Sequence, residues 1–417
     1  MTLQETPKSG FFAVFRSKRM VVLFLLGFAG GLPLYLTSQT LQAWMTAVGV
    51  ERGRIDDVAA FGLAYTLKVL WAPLLDRYQL PFLGRRRGWL LAFQLLLVVT
   101  TAIMALSDPR AHPYELAAIA IAVAFCSASQ DIIIDAYMTD TLAEQERAAG
   151  SAAYVLGYRV AVLMSGTLAL IAADHLPWRT IYFGMAGLMS LGVIATLVAD
   201  EPPERVAPPR TFADALVLPF REFWQRLGTR GLVVVIGFAA LYRFGDSFAQ
   251  SLIIPFLKDG VKFSFTEIGV VFKGIGFAGL AIGGAFAGAL VARFGLRRML
   301  VTFGILSAIT NLLYSWLAVS GHDISVFCAA VFVDQLSYAL STTAFLSVLM
   351  GSCTPAVSAT QMALLTSLSS VGQRVFGPLA DHVVTSLAWS GFFLATALMA
   401  IPGLVLAWWV ARHQPNG

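Results

Sequence analysis

Charge is scarce in this sequence. Only 13% of its 417 residues are Asp, Glu, Lys or Arg, while 58% are hydrophobic; soluble chains carry about 25% charge. With a mean hydropathy of +0.74, a soluble globular domain is excluded. Cysteine is almost as rare. Cys126, Cys328 and Cys353 lie in or beside apolar runs, with neither a disulfide framework nor a metal-ligand spacing. The five histidines, His112, His175, His322, His382 and His413, sit near loops or ends without partners. That speaks against a membrane-embedded transferase, which needs such side chains grouped. No nucleotide-binding fingerprint occurs, which speaks against ATP-driven transport within this chain. Neither a cofactor nor a metal is expected. The net charge of +5 does not imply nucleic acid, because the basic residues cluster at the ends of apolar runs, the pattern that sets membrane topology.

What is present is a series of apolar runs, each near the roughly 20 residues that cross a bilayer as a helix. Six fall at roughly 20–44, 58–78, 88–107, 114–138, 149–172 and 178–199, and six more at roughly 231–257, 266–292, 299–319, 324–350, 357–380 and 388–410. Arg16, Lys18 and Arg19 precede the first run, which reads as an uncleaved span because no small-residue cleavage site follows cleanly. The expected fold is an all-α polytopic membrane protein. Its parts are a six-helix bundle over 1–199, a linker over 200–230 and a second six-helix bundle over 231–417. The linker carries Pro202, Pro203, Pro208 and Pro209; within it Phe212, Leu216, Phe220, Phe223, Trp224 and Leu227 recur at helical spacing beside Arg221 and Arg226. That pattern predicts a short amphipathic helix on the membrane surface. Arg77 with Arg85, Arg86 and Arg87 follows the second run, and Arg293, Arg297 and Arg298 follow the eighth. The opposite loops are less basic, as in Glu51-Arg52-Gly53-Arg54 with Asp56 and Asp57. Both termini are therefore expected in the cytoplasm.

Intramembrane charges repeat at nearly half the chain length. Lys68 and Lys273 are 205 residues apart, Asp131 and Asp334 are 203 apart, and Arg159 and Arg374 are 215 apart. The strings Val155-Leu156-Gly157-Tyr158-Arg159-Val160 and Val371-Gly372-Gln373-Arg374-Val375 also agree. Two parallel repeats of six helices with a cavity between them are the signature of a major facilitator transporter. In that setting Asp76 near a helix end, with Arg77, Arg85, Arg86 and Arg87, is expected to form a cytoplasmic salt-bridge gate; the rival reading is topology-setting charge alone.

Asp131 and Asp135 stand out because a charge at the bilayer centre costs at least ~2.5–3.5 kcal/mol. Four residues apart, they share one helix face at different depths. Each needs a partner, a proton or water. Either is a candidate proton carrier; the rival and compatible reading is an ion pair with Lys68 or Arg159. Asp135 has no acidic twin, since Tyr338 stands 203 residues on. A task that only the first half performs, coupling or gating, falls to it most readily.

Several strings together resemble the AmpG-type muropeptide permeases: Gly31-Leu32-Pro33-Leu34-Tyr35-Leu36-Thr37, Leu41-Gln42-Ala43-Trp44, Leu67 to Arg77, Leu83-Gly84-Arg85-Arg86-Arg87-Gly88-Trp89 and Gln130 to Tyr137. The resemblance is dense through the first five runs and sparser afterwards. It implies a bacterial inner-membrane importer of N-acetylglucosaminyl-anhydro-N-acetylmuramyl peptides, driven by protons and expected to act as a monomer. Acetyl-CoA transporters share the early motifs, so a different cargo such as acetyl-CoA or another sugar conjugate is the alternative. For a glycopeptide cargo, the sugar-facing candidates are Tyr35, Gln39, Gln42, Trp44, Tyr65 and Gln130, with Gln250, Asn311, Gln335 and Tyr338 in the second half. Cargo carboxylates would suit Lys68, Arg159, Arg243, Lys273 and Arg374, since arginine grips a carboxylate with two parallel bonds. Asp246 and Asp334 complete the candidate binding set.

Overall fold

The computed structural model describes residues 17–50, 62–203, 209, 211–376 and 380–413, without the side chains at 62, 63, 212, 265, 370–376, 381 and 413. The loop from Glu51 to Asp57 and Arg16 lie outside the described residues. Those described are helical, with no strand. In chain order the helices are α1 (Lys18–Leu36), α2 (Gln39–Ala47), α3 (Gly62–Leu67), α4 (Ala72–Arg77), α5 (Arg85–Leu106), α6 (Pro113–Thr141), α7 (Arg147–Leu163), α8 (Ala169–Ala173) and α9 (Trp178–Val198). There follow α10 (Phe212–Leu241), α11 (Phe244–Ser251), α12 (Phe265–Val270), α13 (Phe277–Phe294), α14 (Leu296–Ser320), α15 (Ile324–Ser352), α16 (Ser358–Phe376) and α17 (Ala380–His413). Among the described residues, ten segments are long and apolar enough to cross a membrane. Large side chains such as Val99, Ile121 and Val319 are exposed, as lipid contact requires.

Two of the twelve expected crossings fall short of that test. The second is broken: α3 and α4 are joined by a tight turn at Lys68–Leu70. Pro73 in the first turn of α4 has no N–H to extend a continuous helix. The eleventh, α16, is diluted by Thr360, Gln361, Gln373 and Arg374. The first crossing is α1 plus α2, split at Thr37-Ser38. The Ser38 amide turns to Tyr35 O, and the Leu34 carbonyl it leaves accepts the Ser38 hydroxyl at 2.5 Å, while the Thr37 hydroxyl adds a bond to Pro33 O at 2.9 Å.

The expected amphipathic helix is the first part of α10. Thr211 and Asp214 cap its start reciprocally. Gly228, at φ 65, ends it; the left-handed region favours glycine. Phe223 is buried while Leu216, Phe220 and Trp224 are exposed. Gln361 Nε2 donates to Pro219 O at 3.1 Å, which ties this helix to α16. At the same end of the bundle, Lys18 hydrogen-bonds Asp200 at 2.8 Å across an exposed pair. That bond holds the Asp200 carboxyl below the ordinary carboxylate range. Its small stabilisation holds at neutral pH and is lost as pH falls through the lowered value.

Glycines set the closest helix contacts. A Cβ on Gly157 of α7 would lie 2.0 Å from Phe24 O, and one on Gly27 of α1 would lie 2.1 Å from Tyr154 O. In the second half, Gly279 and Gly283 of α13 lie equally close to Phe332 O and Leu336 O on α15. Backbones meet because no side chain intervenes. Gly157→Ala should therefore lower the melting midpoint in detergent, with about 1–3 kcal/mol lost to overpacking. Gly184→Ala, with open space around it, should leave the midpoint unchanged or higher. Equal midpoints for wild type and Gly157→Ala would refute the close-packing account.

Candidate functional site

Asp76, at the end of α4, is fully buried. Its Oδ1 accepts from Arg85 Nη2 at 3.2 Å, Arg86 Nη2 at 3.0 Å and the Ala359 amide at 3.2 Å. Its Oδ2 accepts from the Thr360 amide and hydroxyl, both at 2.7 Å. One carboxylate thus binds two arginines of its own half and the amino end of α16. Arg86 also reaches Asp140 at 2.8 Å and the Ser358 hydroxyl at 2.7 Å, and Ser358 donates to Asp140 at 2.8 Å. Arg85 Nη2 donates to Ala356 O at 2.5 Å. The arginines are aimed by Glu201, whose carboxylate accepts the Arg86 and Arg87 amides at 2.8 and 3.0 Å; a helix amino end favours such an anion. Of the five expected gate residues, three meet the other half. Arg77 lies over the Tyr78 ring at 5.0 Å instead, and Arg87 donates to Thr196 O and Leu197 O.

A second cluster lies in the first half. Lys68, in the tight turn between α3 and α4, approaches Asp135 Oδ2 at 3.7 Å, and both are buried. The broken helix is what turns Lys68 toward α6. Asp131 sits one turn away on α6, with its Oδ1 buried and without a hydrogen-bond partner among the described residues. The same holds for both polar atoms of the Gln130 side chain and for the Tyr65 hydroxyl. Gly30 permits the close approach of α1: a Cβ there would lie 3.1 Å from Asp131 Oδ1.

The third feature is a cavity of ≈ 340 Å³ between the halves. Arg159 of α7 reaches it from one side; Arg243, Asp246, Gln250, Asp334, Gln335 and Tyr338 reach it from the other. The Tyr338 ring lies between two guanidinium groups, Arg159 at 4.2 Å and Arg243 at 4.3 Å. The tyrosine also hydrogen-bonds both guanidinium groups; with five N–H donors each, both keep further N–H groups for a ligand. Asp334 accepts from Gln335 Nε2 at 3.0 Å and Gln250 Nε2 at 3.3 Å. Asp246 accepts from Asn311 Nδ2 at 3.2 Å and from the Ser307 hydroxyl.

The repeat arithmetic overstated the symmetry. Lys273 is not a buried twin of Lys68. It is exposed and lines a separate cleft of ≈ 920 Å³ with Ala43, Thr167, Asp174 and Trp178, at the end of the bundle away from Asp76. The Arg374 side chain lies outside the described residues. Gln39 is exposed, Gln42 is half-buried, and Tyr35 packs against Gly166. None of these three lines the mixed-charge cavity. Trp44, a sugar-facing candidate, is buried against Trp178 and Tyr182, with ring centroids 6.1 and 4.8 Å away. Asp140, Ser358, Thr360 and Ser307 escaped the sequence reading. Asp140 carries a usable signal: it is a third aspartate on α6, and Arg86 of the basic cluster reaches it.

Comparison with known proteins gives concordant findings. The profile of the Major Facilitator Superfamily matches residues 23–244 and 236–417. The chain is 44% identical over 399 residues to the anhydromuropeptide permease of Escherichia coli K12, covering 95% of this chain and 81% of that protein. Among solved structures, the proton:xylose symporter XylE superposes with a TM-score of 0.72 at 13% identity, covering 96% of each chain. The E. coli fucose:proton symporter FucP gives 0.68 at 12% identity, over 96% of this chain and 98% of that one. At such identities these two show the fold alone.

Proposed function

Since the chain belongs to the major facilitator superfamily and, within it, to the AmpG-type anhydromuropeptide permeases, we propose that it imports anhydromuropeptides across the bacterial inner membrane together with protons. The observation that carries this reading is the cavity where Arg159 of the first half faces Arg243, Asp334 and Tyr338 of the second. Facilitators place cargo at such an interface between their two repeats. The bundles over 1–199 and 231–417 rock about it, joined by the linker over 200–230. The basic end, with both termini, faces the cytoplasm. Asp76, Arg85 and Arg86 hold that end shut in this state, and the cleft beside Lys273 is the periplasmic mouth. Lys68, Asp131 and Asp135 carry the coupling proton. Cargo carboxylates meet the free edges of Arg159 and Arg243.

The test is uptake into proteoliposomes of purified protein, using labelled GlcNAc-anhydro-MurNAc peptide with and without an imposed proton gradient. Accumulation above equilibrium is expected only with the gradient. Unlabelled anhydromuropeptide should compete and acetyl-CoA should not. Absence of uptake, or competition by acetyl-CoA alone, would overturn the cargo assignment.

A further inference from the structure

The cavity between the halves carries charges of both signs that are not joined in direct ion pairs. Arg159 and Arg243 line it, as do Asp246 and Asp334. Among the described residues no ion pair within 4.0 Å joins any of these four. Arg243 and Asp246 are only three residues apart, a spacing that brings helical side chains together. They remain unpaired because the chain turns between them: Arg243 sits just before α11, with φ −112 and ψ 9.

Each set of charges is occupied in a way that leaves its charge unmet. The arginines both lie over the Tyr338 ring, and Arg243 Nε is buried with no hydrogen-bond partner among the described residues. The acids are bound by neutral donors only: Asn311 and Ser307 for Asp246, Gln250, Gln335 and a long contact from Thr310 at 3.5 Å for Asp334. A neutral amide or hydroxyl orients a carboxylate without cancelling its charge, and buried uncancelled charge is unfavourable. Two cations and two anions held apart around one empty volume fit a ligand that brings the same charges reversed.

We propose that this cavity receives a zwitterionic amino-acid end group of the cargo. Its carboxylate meets the N–H edges of Arg159 and Arg243, and its ammonium lies against Asp246 and Asp334. The proposal rests on the transport reading above and specifies which part of the cargo is gripped. Size supports it. At ≈ 340 Å³ the cavity lies at the low end of small-molecule sites, about 300–1,000 Å³. That suits one amino-acid end better than a whole disaccharide peptide. An ammonium has three donors and no acceptor, which complements two carboxylates. Recognition is therefore split between halves: Arg159 comes from the first, and both acids come from the second.

The test needs no variant at its first step. One synthetic anhydromuropeptide, whose peptide ends in an amino acid with free ammonium and carboxylate, is compared with its N-acetylated and carboxamide forms. Binding is measured by calorimetry on wild-type protein in nanodiscs. Either modification should weaken binding by about thirtyfold or more, as expected when one partner of a buried charge pair is lost. In Asp334→Asn or Asp246→Asn the unmodified ligand should bind weakly and N-acetylation should add little further loss, while amidation still does. Arg243→Gln should show the converse. A loss of less than about threefold on N-acetylation, or one undiminished in both acid variants, overturns the proposal. Uptake separates this failure from that of the transport reading. If the acetylated ligand accumulates as well as the free one, only the zwitterion assignment falls. If neither accumulates under a gradient, the transport reading falls and this proposal with it.

Discussion

Asp76→Ala will abolish uptake and leave the protein open at its basic end. The side chain is fully buried and accepts five hydrogen bonds, two from arginines and three from the start of α16. Removing it leaves Arg85 and Arg86 facing Asp140 alone among the acids of the latch, with Arg86 only 1% exposed. Breaking a buried pair by deleting one partner costs about 3–5 kcal/mol. That loss falls on the closed state, because an opened gate gives both arginines water. A preference of that size moves a two-state balance by roughly 150- to 5,000-fold. Asp76→Asn should be milder, since the amide oxygen can still accept from the Thr360 amide while the charge is lost. Spin labels at the exposed positions Tyr78 and Trp224 would report the change. The alanine variant should show one long inter-label distance where wild type shows a short one, and proteoliposomes carrying it should not accumulate cargo. An unchanged distance with wild-type uptake would reduce the Asp76 network to a topological charge cluster.

The sequence reading reached the latch only in part, and the reason is physical. Asp76, Arg85 and Arg86 were visible because charges flanking an apolar run are few and conspicuous. Their partners in the other half were not: Ser358 and Thr360 look like ordinary small polar residues, and two contacts to Asp76 come from backbone amides that no side-chain pattern encodes. The helical frame was legible from run lengths alone, except where Pro73 broke the second crossing. The half-chain offset found Asp131 with Asp334, and both are buried. It failed for Lys68 and Lys273 because helix breaks rotate equivalent positions by different amounts. Lys68 lies in a tight turn, Lys273 in a wide one over Val271–Gly276. Tyr338 was noticed mainly as a missing acid. Its place between Arg159 and Arg243 depends on two halves meeting face to face, which spacing within one chain does not reveal. The structure also separates Asp131 from Asp135. The residue without an acidic twin is the one beside Lys68, and the acid with a buried oxygen lacking a hydrogen-bond partner among the described residues is Asp131.

Asp131→Asn will uncouple transport from the proton gradient and keep cargo exchange. Lys68, Asp131 and Asp135 form a buried group with one formal positive and two negative charges. One proton brings that group to neutrality. Lys68 stands 3.7 Å from Asp135 and acts on Asp131 only from farther away, so Asp131 is the acid whose charge is offset less. An asparagine there copies the protonated state permanently. The Lys68–Asp135 pair stays intact, so the variant should fold and melt close to wild type. The loss is in driving force. Each elementary charge moved through ~100 mV is worth ~2.3 kcal/mol, which is about fiftyfold in the accumulation ratio. Asp135→Asn acts differently: it strips Lys68 of its partner, and Lys68 must turn to Asp131, so stability and coupling should fall together. Lys68→Met leaves two acids with no cation and should be the worst expressed of the three. Accumulation, counterflow exchange and cargo-induced alkalinisation of the medium, measured on the same proteoliposomes, discriminate these outcomes. A purely structural ion-pair cluster would lower the melting midpoint in every variant while the surviving protein still concentrated cargo. Full accumulation by both Asp131→Asn and Asp135→Asn would remove the cluster from proton coupling. Attention would then pass to half-buried Asp246 and buried Asp334, the acids that line the mixed-charge cavity.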